Sequence, residues 1–275
     1  MAAVGVIGAG RVGLSVGLAL ARAGHVVRVH GRRAKPVPPP LTLTTGASPA
    51  WLREMDVLLL AIPDDGIAET AAALAAQGRV GAGQVVLHLS GALSKEALVA
   101  LAASGAALGS LHPLQTLSDP ATAPERLKGA VATVEGDPRA VEAASGLARD
   151  IGMVPVPIPS DQKPLYHAAA VFASNFLVAL AGVAQRLFVS AGLPEAVART
   201  ALTSLMAGAL ENLRAAGPAE ALTGPVARGD VDTIRRHLEA LKGQDAELYR
   251  VLSRAALDLA QLDPERRRAI QDLLR

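Results

Sequence analysis

A chain of 275 residues, 51% apolar and 19% charged, has material for more than one buried core and too little charge to stay disordered. Its 27 Lys and Arg face 25 Asp and Glu, a net charge of +2; without a basic stripe interleaved with aromatics, nucleic-acid binding is not expected. The absence of cysteine excludes a disulfide framework, a thiolate metal site and a cysteine nucleophile, and no metal is expected.

The N-terminus lacks a basic region ahead of its apolar residues and runs directly into a glycine-rich segment. It reads as a first strand and not as a signal peptide, so a cytoplasmic protein is expected. Residues 4–7 predict a strand, 12–23 a helix and 26–30 a second strand. Residues 36–40, PVPPP, form a stiff connection. The segment 56–62, continuously apolar from Val57 onward, predicts a strand covered on both faces. A helix over 66–77, a strand over 85–89, a helix over 95–103 and a strand over 107–111 follow. Residues 130–134, 139–151 and 153–158 predict strand, helix and strand. This alternation argues for an α/β fold with a parallel, doubly wound Rossmann sheet.

Three prolines within residues 154–159 mark a linker. Beyond it there is helical periodicity alone, over 164–190, 195–216, 231–242, 245–261 and 264–274. The domain boundary falls at 158–160. Residues 1–158 form a Rossmann domain for NADP, and residues 159–275 an all-helical substrate and dimerisation domain. The apolar stretch 168–184 is slightly short for the roughly 20 residues of a membrane span and carries Ser174 and Asn175 near its middle. It reads as a buried central helix, and no membrane association is expected.

Gly8-Ala9-Gly10-Arg11-Val12-Gly13 lies between a strand and a helix. Gly8 permits the tight turn, Gly10 lets backbone approach a pyrophosphate, and Gly13 lets helix and strand pack closely. The free amides of the helix N-terminus then face the phosphates. The second strand ends His30-Gly31-Arg32-Arg33. An NAD-binding chain usually places an acid here, roughly 20 residues past the fingerprint, for the ribose hydroxyls. In its place Gly31 leaves room for a 2′-phosphate, and Arg32 and Arg33 can pair with one. Arg11 can reach that phosphate or the pyrophosphate. The alternative is that these arginines are solvated surface charges. Ile62-Pro63-Asp64-Asp65 ends a central strand, where it borders a ligand, caps a helix through an aspartate, or both.

Ser90 follows the strand over 85–89, facing nicotinamide or substrate or capping the next helix. His112, in the polar run His112-Pro113-Leu114-Gln115-Thr116, orients substrate or is a hydrogen-bonded structural histidine. Tyr166, His167, Ser174 and Asn175 interrupt the apolar helix that starts at Pro164. At ~100° per residue, His167 and Ser174 fall within roughly 20° of each other, and Asn175 about 80° away. Lys163 shares that face if the helix reaches it. Several polar groups on one buried helix suggest a polar pocket, because each costs free energy unless paired; local bonding of Ser174 and Asn175 to backbone is the alternative. Residues 222–230, LTGPVARGD, break the helical run, either completing the pocket or forming a turn held by Arg228 and Asp230.

The segments GAGRVG (8–13), LSGALS (89–94), LHPLQT (111–116), YHAAAVFASNF (166–176) and LTGPVARGD (222–230) resemble a bacterial family that pairs a Rossmann-like NADP-binding domain with a C-terminal domain of unknown function. More distantly the chain resembles pyrroline-5-carboxylate reductase, 6-phosphogluconate and β-hydroxyacid dehydrogenases, ketopantoate reductase and deazaflavin-dependent NADP oxidoreductase. The resemblance implies an all-α second domain like the C-terminal domain of 6-phosphogluconate dehydrogenase. It also implies hydride transfer at a nicotinamide in a domain cleft, and a homodimer built from the helical domain. The β-hydroxyacid dehydrogenase-like relatives carry a lysine followed four residues later by asparagine; here that spacing reads Lys163 and His167, so either is a candidate proton donor.

The leading expectation is an NADP(H)-dependent oxidoreductase acting on a small carbonyl or imine substrate, with His167 or Lys163 exchanging the proton and Ser90, His112, Ser174 and Asn175 orienting the substrate. A non-catalytic NADP-binding regulatory protein is the alternative, since fold does not fix function. A helical dimerisation module is a third possibility.

Overall fold

The computed structural model describes residues 1–275. The N-terminal part alternates β1 (Ala3–Ile7), α1 (Arg11–Arg22), β2 (Val26–Gly31), β3 (Leu43–Thr45), β4 (Val57–Leu60), α2 (Asp64–Ala76), β5 (Val85–His88) and β6 (Ala107–Pro113). It continues through α3 (Ala123–Leu127), β7 (Val131–Gly136), α4 (Pro138–Asp150) and β8 (Val154–Pro157). The eight strands form one sheet in the order β3-β2-β1-β4-β5-β6-β7-β8. The chain winds outward in both directions from β1, which creates a crevice at the C-terminal ends of β1 and β4.

Alternation along the strands divides the core. Val4, Val6, Val57, Leu59, Val85 and Leu87 pack on the face covered by α1 and α4. Leu58, Leu60 and Val86 pack on the opposite face, against Ile67, Ala71 and Leu74 of α2 and against Leu98 and Leu101. A two-residue period with both faces buried is what the apolar runs of β4 and β5 require.

The structure corrects several expectations. The sheet is mostly, not wholly, parallel, because β7 runs antiparallel to β6. A parallel return needs a long crossover, usually a helix. Here the connection holds only the five-residue α3, and Leu114 N–H donates to the Val131 carbonyl at 2.9 Å, so β7 starts at the end of the sheet where β6 stops. Residues Lys95–Ser104 form a 3-10 helix. The short β3 and the turn Ala50–Glu54 had no periodic signal.

The helix expected over 164–190 is broken. Ser174, at φ −126° and ψ −63°, ends α5 (Lys163–Ala173), and α6 (Asn175–Ser190) starts anew. The compact units meet between Asn175 and Phe176, not at 158–160, since α5 is tied to the sheet by side-chain hydrogen bonds from Lys163 and Tyr166. By length and composition the run Ser160–Ser190, whose most apolar 18-residue window has a mean hydropathy of 1.7, could cross a membrane. The break at Ser174 and the bonding of its first half to the sheet argue against a single span.

The second unit continues with α7 (Glu195–Ala221), α8 (Pro225–Arg228), α9 (Val231–Ala240), α10 (Gly243–Leu259) and α11 (Pro264–Leu273). α7 kinks where Gly217 takes φ 79° ahead of Pro218. Asp230 caps α9 by accepting from Thr233 N–H at 3.1 Å. The core of this unit is Val226, Ile234, Leu257, Ile270 and Leu274. The stretch 168–184 is not buried as expected: α6 contributes no buried residue, and Val178 is 72% exposed.

Candidate active site

A groove of roughly 1180 Å³ opens at the ends of β1, β2 and β4, lined among others by Gly8, Ala9, Gly10, Gly31, Arg32, Arg33, Ile62 and Pro63. Its shape depends on missing side chains. Gly8 has φ +118°, and a Cβ there would stand 2.2 Å from the Ala61 carbonyl oxygen. A Cβ on Gly13 would stand 2.0 Å from the Gly8 carbonyl oxygen, and one on Gly31 2.9 Å from Ala9 Cβ. Gly10 has nothing within 4 Å of its Cβ position. It is the N-cap of α1, with no side-chain cap and no acid in the first turn. The first amides of α1 are therefore free for an anion.

Arg32 and Arg33 reach the groove, joined by Lys35 and by Ser48, whose buried hydroxyl has no hydrogen-bond partner. Sequence reasoning missed Lys35 and Ser48, which come from the irregular segment after β2. These cations and the open helix end fit a dinucleotide carrying an additional phosphate. Arg11, Val12 and Gly13 belong to α1 and do not line the groove; Arg11 and Val12 are exposed, and Gly13 is buried.

A second cluster surrounds the turn after β5. The Ser90 hydroxyl donates to Asp64 Oδ2 at 2.8 Å and accepts from the N–H groups of Ala92 and Leu93, each at 3.1 Å. Its bonding is thus taken up by its own turn and by the start of α2. Neither Asp64 nor Asp65 is the N-cap of α2, a place held by Pro63. His88 is wholly buried. Its Nδ1 accepts from Ser90 N–H at 3.2 Å, so Nε2 carries the proton and donates to the Ser94 carbonyl at 3.0 Å. Burial pushes His88 down from 6.5 to about 4.

His112 on β6 meets the Tyr166 hydroxyl through Nδ1 at 2.7 Å. Burial first, then the nearby Lys163 charge, lowers it from 6.5 to about 4, so it is neutral at pH 7. Burial raises Tyr166 above the usual phenol value. His167 packs edge-on to His112, with ring centroids 6.1 Å apart. A Cβ on Gly91 would stand 2.7 Å from His167 Nδ1 and 2.9 Å from His112 Nε2, so both imidazoles close on bare backbone. His167 Nδ1 is buried without a partner, which leaves Nε2 as the nitrogen open to exchange.

Beneath this turn Lys163 is wholly buried. Its ammonium donates to Ser110 Oγ at 2.7 Å and to the Ser90 carbonyl at 3.2 Å. Burial lowers it from 10.5 to about 8, opposed by the negative charges of Glu135 and Asp64.

Four of the expected chemical residues, Ser90, His112, Lys163 and His167, are thus brought together. Ser174 and Asn175 are not. Ser174 Oγ lies 3.0 Å from the Ala170 carbonyl and 2.9 Å from Asn175 Oδ1, a local arrangement at the end of α5. The face shared by His167 and Ser174 required an unbroken helix. Sequence reasoning missed His88, Ser110, Glu135 and, as a site residue, Tyr166. Two signals were available: Ser110 stands two residues before His112, on the same side of a strand, and Glu135 is the one charged residue of β7.

The family described as a Rossmann-like domain matches residues 1–113, and the domain of unknown function DUF2520 matches residues 130–256. No curated protein matches the sequence. Among solved structures, protein TM1727 from Thermotoga maritima is similar at 26% identity and TM-score 0.71, over 94% of this chain and 98% of that one. BF3122 from Bacteroides fragilis, a candidate NADP oxidoreductase, is similar at 22% identity and TM-score 0.73, over 94% and 98%. Pyrroline carboxylate reductase from Plasmodium falciparum, solved with NADP bound, shares the fold at 10% identity and TM-score 0.64, also over 94% and 98%.

Proposed function

With a Rossmann-like domain joined to a DUF2520 domain as the premise, we propose that this chain is a cytoplasmic NADP(H)-dependent oxidoreductase acting on a small carbonyl or imine, or on the corresponding alcohol or amine. The observation that carries the reading is the groove at β1, β2 and β4. It combines uncapped amides at Gly10 with Arg32, Arg33 and Lys35, and no acid at the end of β2. A guanidinium pairs with a 2′-phosphate, whereas a carboxylate there would repel it.

The dinucleotide supplies or takes up the hydride. Gly8, Ala9 and Gly10 seat its pyrophosphate, and Arg32, Arg33 and Lys35 hold its further phosphate. His167, half-buried against Gly91, is the group of the second cluster able to touch a substrate and exchange a proton through Nε2. His112, neutral and bonded through Nδ1 to Tyr166, presents Nε2 beside it. Lys163 has no exposed atom, so it acts from beneath, where its positive charge favours negative charge developing above the turn.

The reading includes a homodimer. Leu165 on α5 is 71% exposed, and Val178 on α6 and Leu205 on α7 are similarly bare. Apolar surface left open in this way is commonly an interface.

Fluorescence titration with NADPH and NADH tests the coenzyme. NADPH should bind clearly more tightly. Arg32→Asp removes charge-assisted hydrogen bonds of about 1.5–3 kcal/mol, so NADPH affinity should fall roughly ten- to a hundredfold while NADH affinity hardly changes. An undiminished preference in the variant overturns the 2′-phosphate assignment, and indifference to both nucleotides overturns the function.

A further inference from the structure

The Lys163 ammonium is the chain's most deeply buried cation, yet its hydrogen bonds run to a hydroxyl and a carbonyl, not to a carboxylate. The compensating charge stands one residue further away. Ser110 Oγ, wholly buried, accepts from Lys163 and donates its single proton to Glu135 Oε2 at 3.2 Å. Glu135 is itself 3% exposed and is held on two other sides. The Ser160 hydroxyl donates to its Oε1 at 2.7 Å, and the Lys95 backbone N–H lies 3.1 and 3.3 Å from its two oxygens. Lys163, Ser110 and Glu135 thus form one directed row of hydrogen bonds across α5, β6 and β7.

An isolated buried ammonium tends to lose its proton. The other titratable groups around Lys163 do little to prevent this. His88 on β5 and His112 on β6 are held neutral, and His167 lies above on α5. Asp64, at the start of α2, contributes less than Glu135. A fully buried carboxylate with three donors is in turn a costly feature for a strand that needs only apolar side chains.

We propose that Glu135, acting through Ser110, is the positioning residue that keeps Lys163 charged and its ammonium fixed beneath the Ser90–Gly91 turn. The purpose assigned to that charge rests on the function proposed above, whereas the electrostatic link itself does not. Glu135→Gln retains size and hydrogen-bonding capacity and removes only the charge.

The test reads Lys163 directly in the intact protein. The chain has five lysines, Lys35, Lys95, Lys128, Lys163 and Lys242, so lysine-selective 13C and 15N labelling yields a resolvable set, with Lys163 identified by its loss in Lys163→Arg. In Glu135→Gln the Lys163 titration midpoint should fall by about one pH unit or more; Lys95, which also feels the Glu135 charge, should fall less, and Lys35, Lys128 and Lys242 should stay in place. Glu135→Asp should restore part of the difference. An unchanged Lys163 midpoint in Glu135→Gln overturns the proposal. If that variant does not fold, Ser110→Ala decides: a lowered midpoint supports the link and an unchanged one overturns it. NADPH titration of the same samples separates the two readings. Absent nucleotide binding with a displaced midpoint strikes the function and supports the link, whereas intact binding with a fixed midpoint does the reverse.

Discussion

Gly91 shows how much a single missing side chain determines. His112 and His167 approach its backbone so closely that a Cβ would lie under 3 Å from a ring nitrogen of each. Gly91→Ala should therefore displace both imidazoles at an overpacking cost of about 1–3 kcal/mol. A thermal melt should show the loss, while NADPH affinity in the separate groove should hold. An unchanged melting temperature would show that the rings are not pressed against the turn. The glycines of the cofactor groove were readable in sequence, because backbone approach and a positive φ at Gly8 are requirements met within a few residues. Ser90 was not readable in the same way. Its hydroxyl is engaged by Asp64, Ala92 and Leu93, and the Asp64 bond is made by the packing of two separate elements.

Among the elements, β5 and the turn after it carry the clearest pH dependence. His88 clamps this turn only while neutral, since Nδ1 must accept from Ser90 N–H. Its folded value of about 4 lies below its unfolded value of 6.5. The folded state thus disfavours the proton, and the stability from neutral His88 is complete above pH 6.5. That contribution declines as pH falls towards 4, for a total of roughly 3 kcal/mol. His112 behaves alike. Melting temperature should drop between pH 7 and pH 4, and His88→Asn should make that slope shallower; an equal slope would remove His88 from the account. At this scale the strands were legible because their apolar residues alternate between two buried faces. The break at Ser174 was not, because the periodicity of 164–190 continues across it while the backbone turns away.

For the whole molecule, the decisive feature is apolar surface that the chain does not cover. The helical unit has a small core from α8 to α11, whereas α6 buries nothing. Light scattering on the purified protein should report a dimer, and Val178→Glu should shift it towards monomer. A wild-type monomer at micromolar concentration would refute the homodimer. Hydrophobicity had suggested a buried central helix. Composition alone does not distinguish a core helix from one that awaits a partner, since both exclude charge for the same reason.

The amino-acid sequence by itself determined the Rossmann architecture, the glycine groove, the basic end of β2 and a helical second half, because each rests on short-range periodicity or on residues adjacent in the chain. Tertiary structure alone decided that β7 runs antiparallel, that α5 belongs with the sheet, and that Lys163, Ser110 and Glu135 form one row. Those three residues are far apart in sequence. A buried charge finds its partner through the packing of strands and helices, and that proximity leaves no local pattern to read.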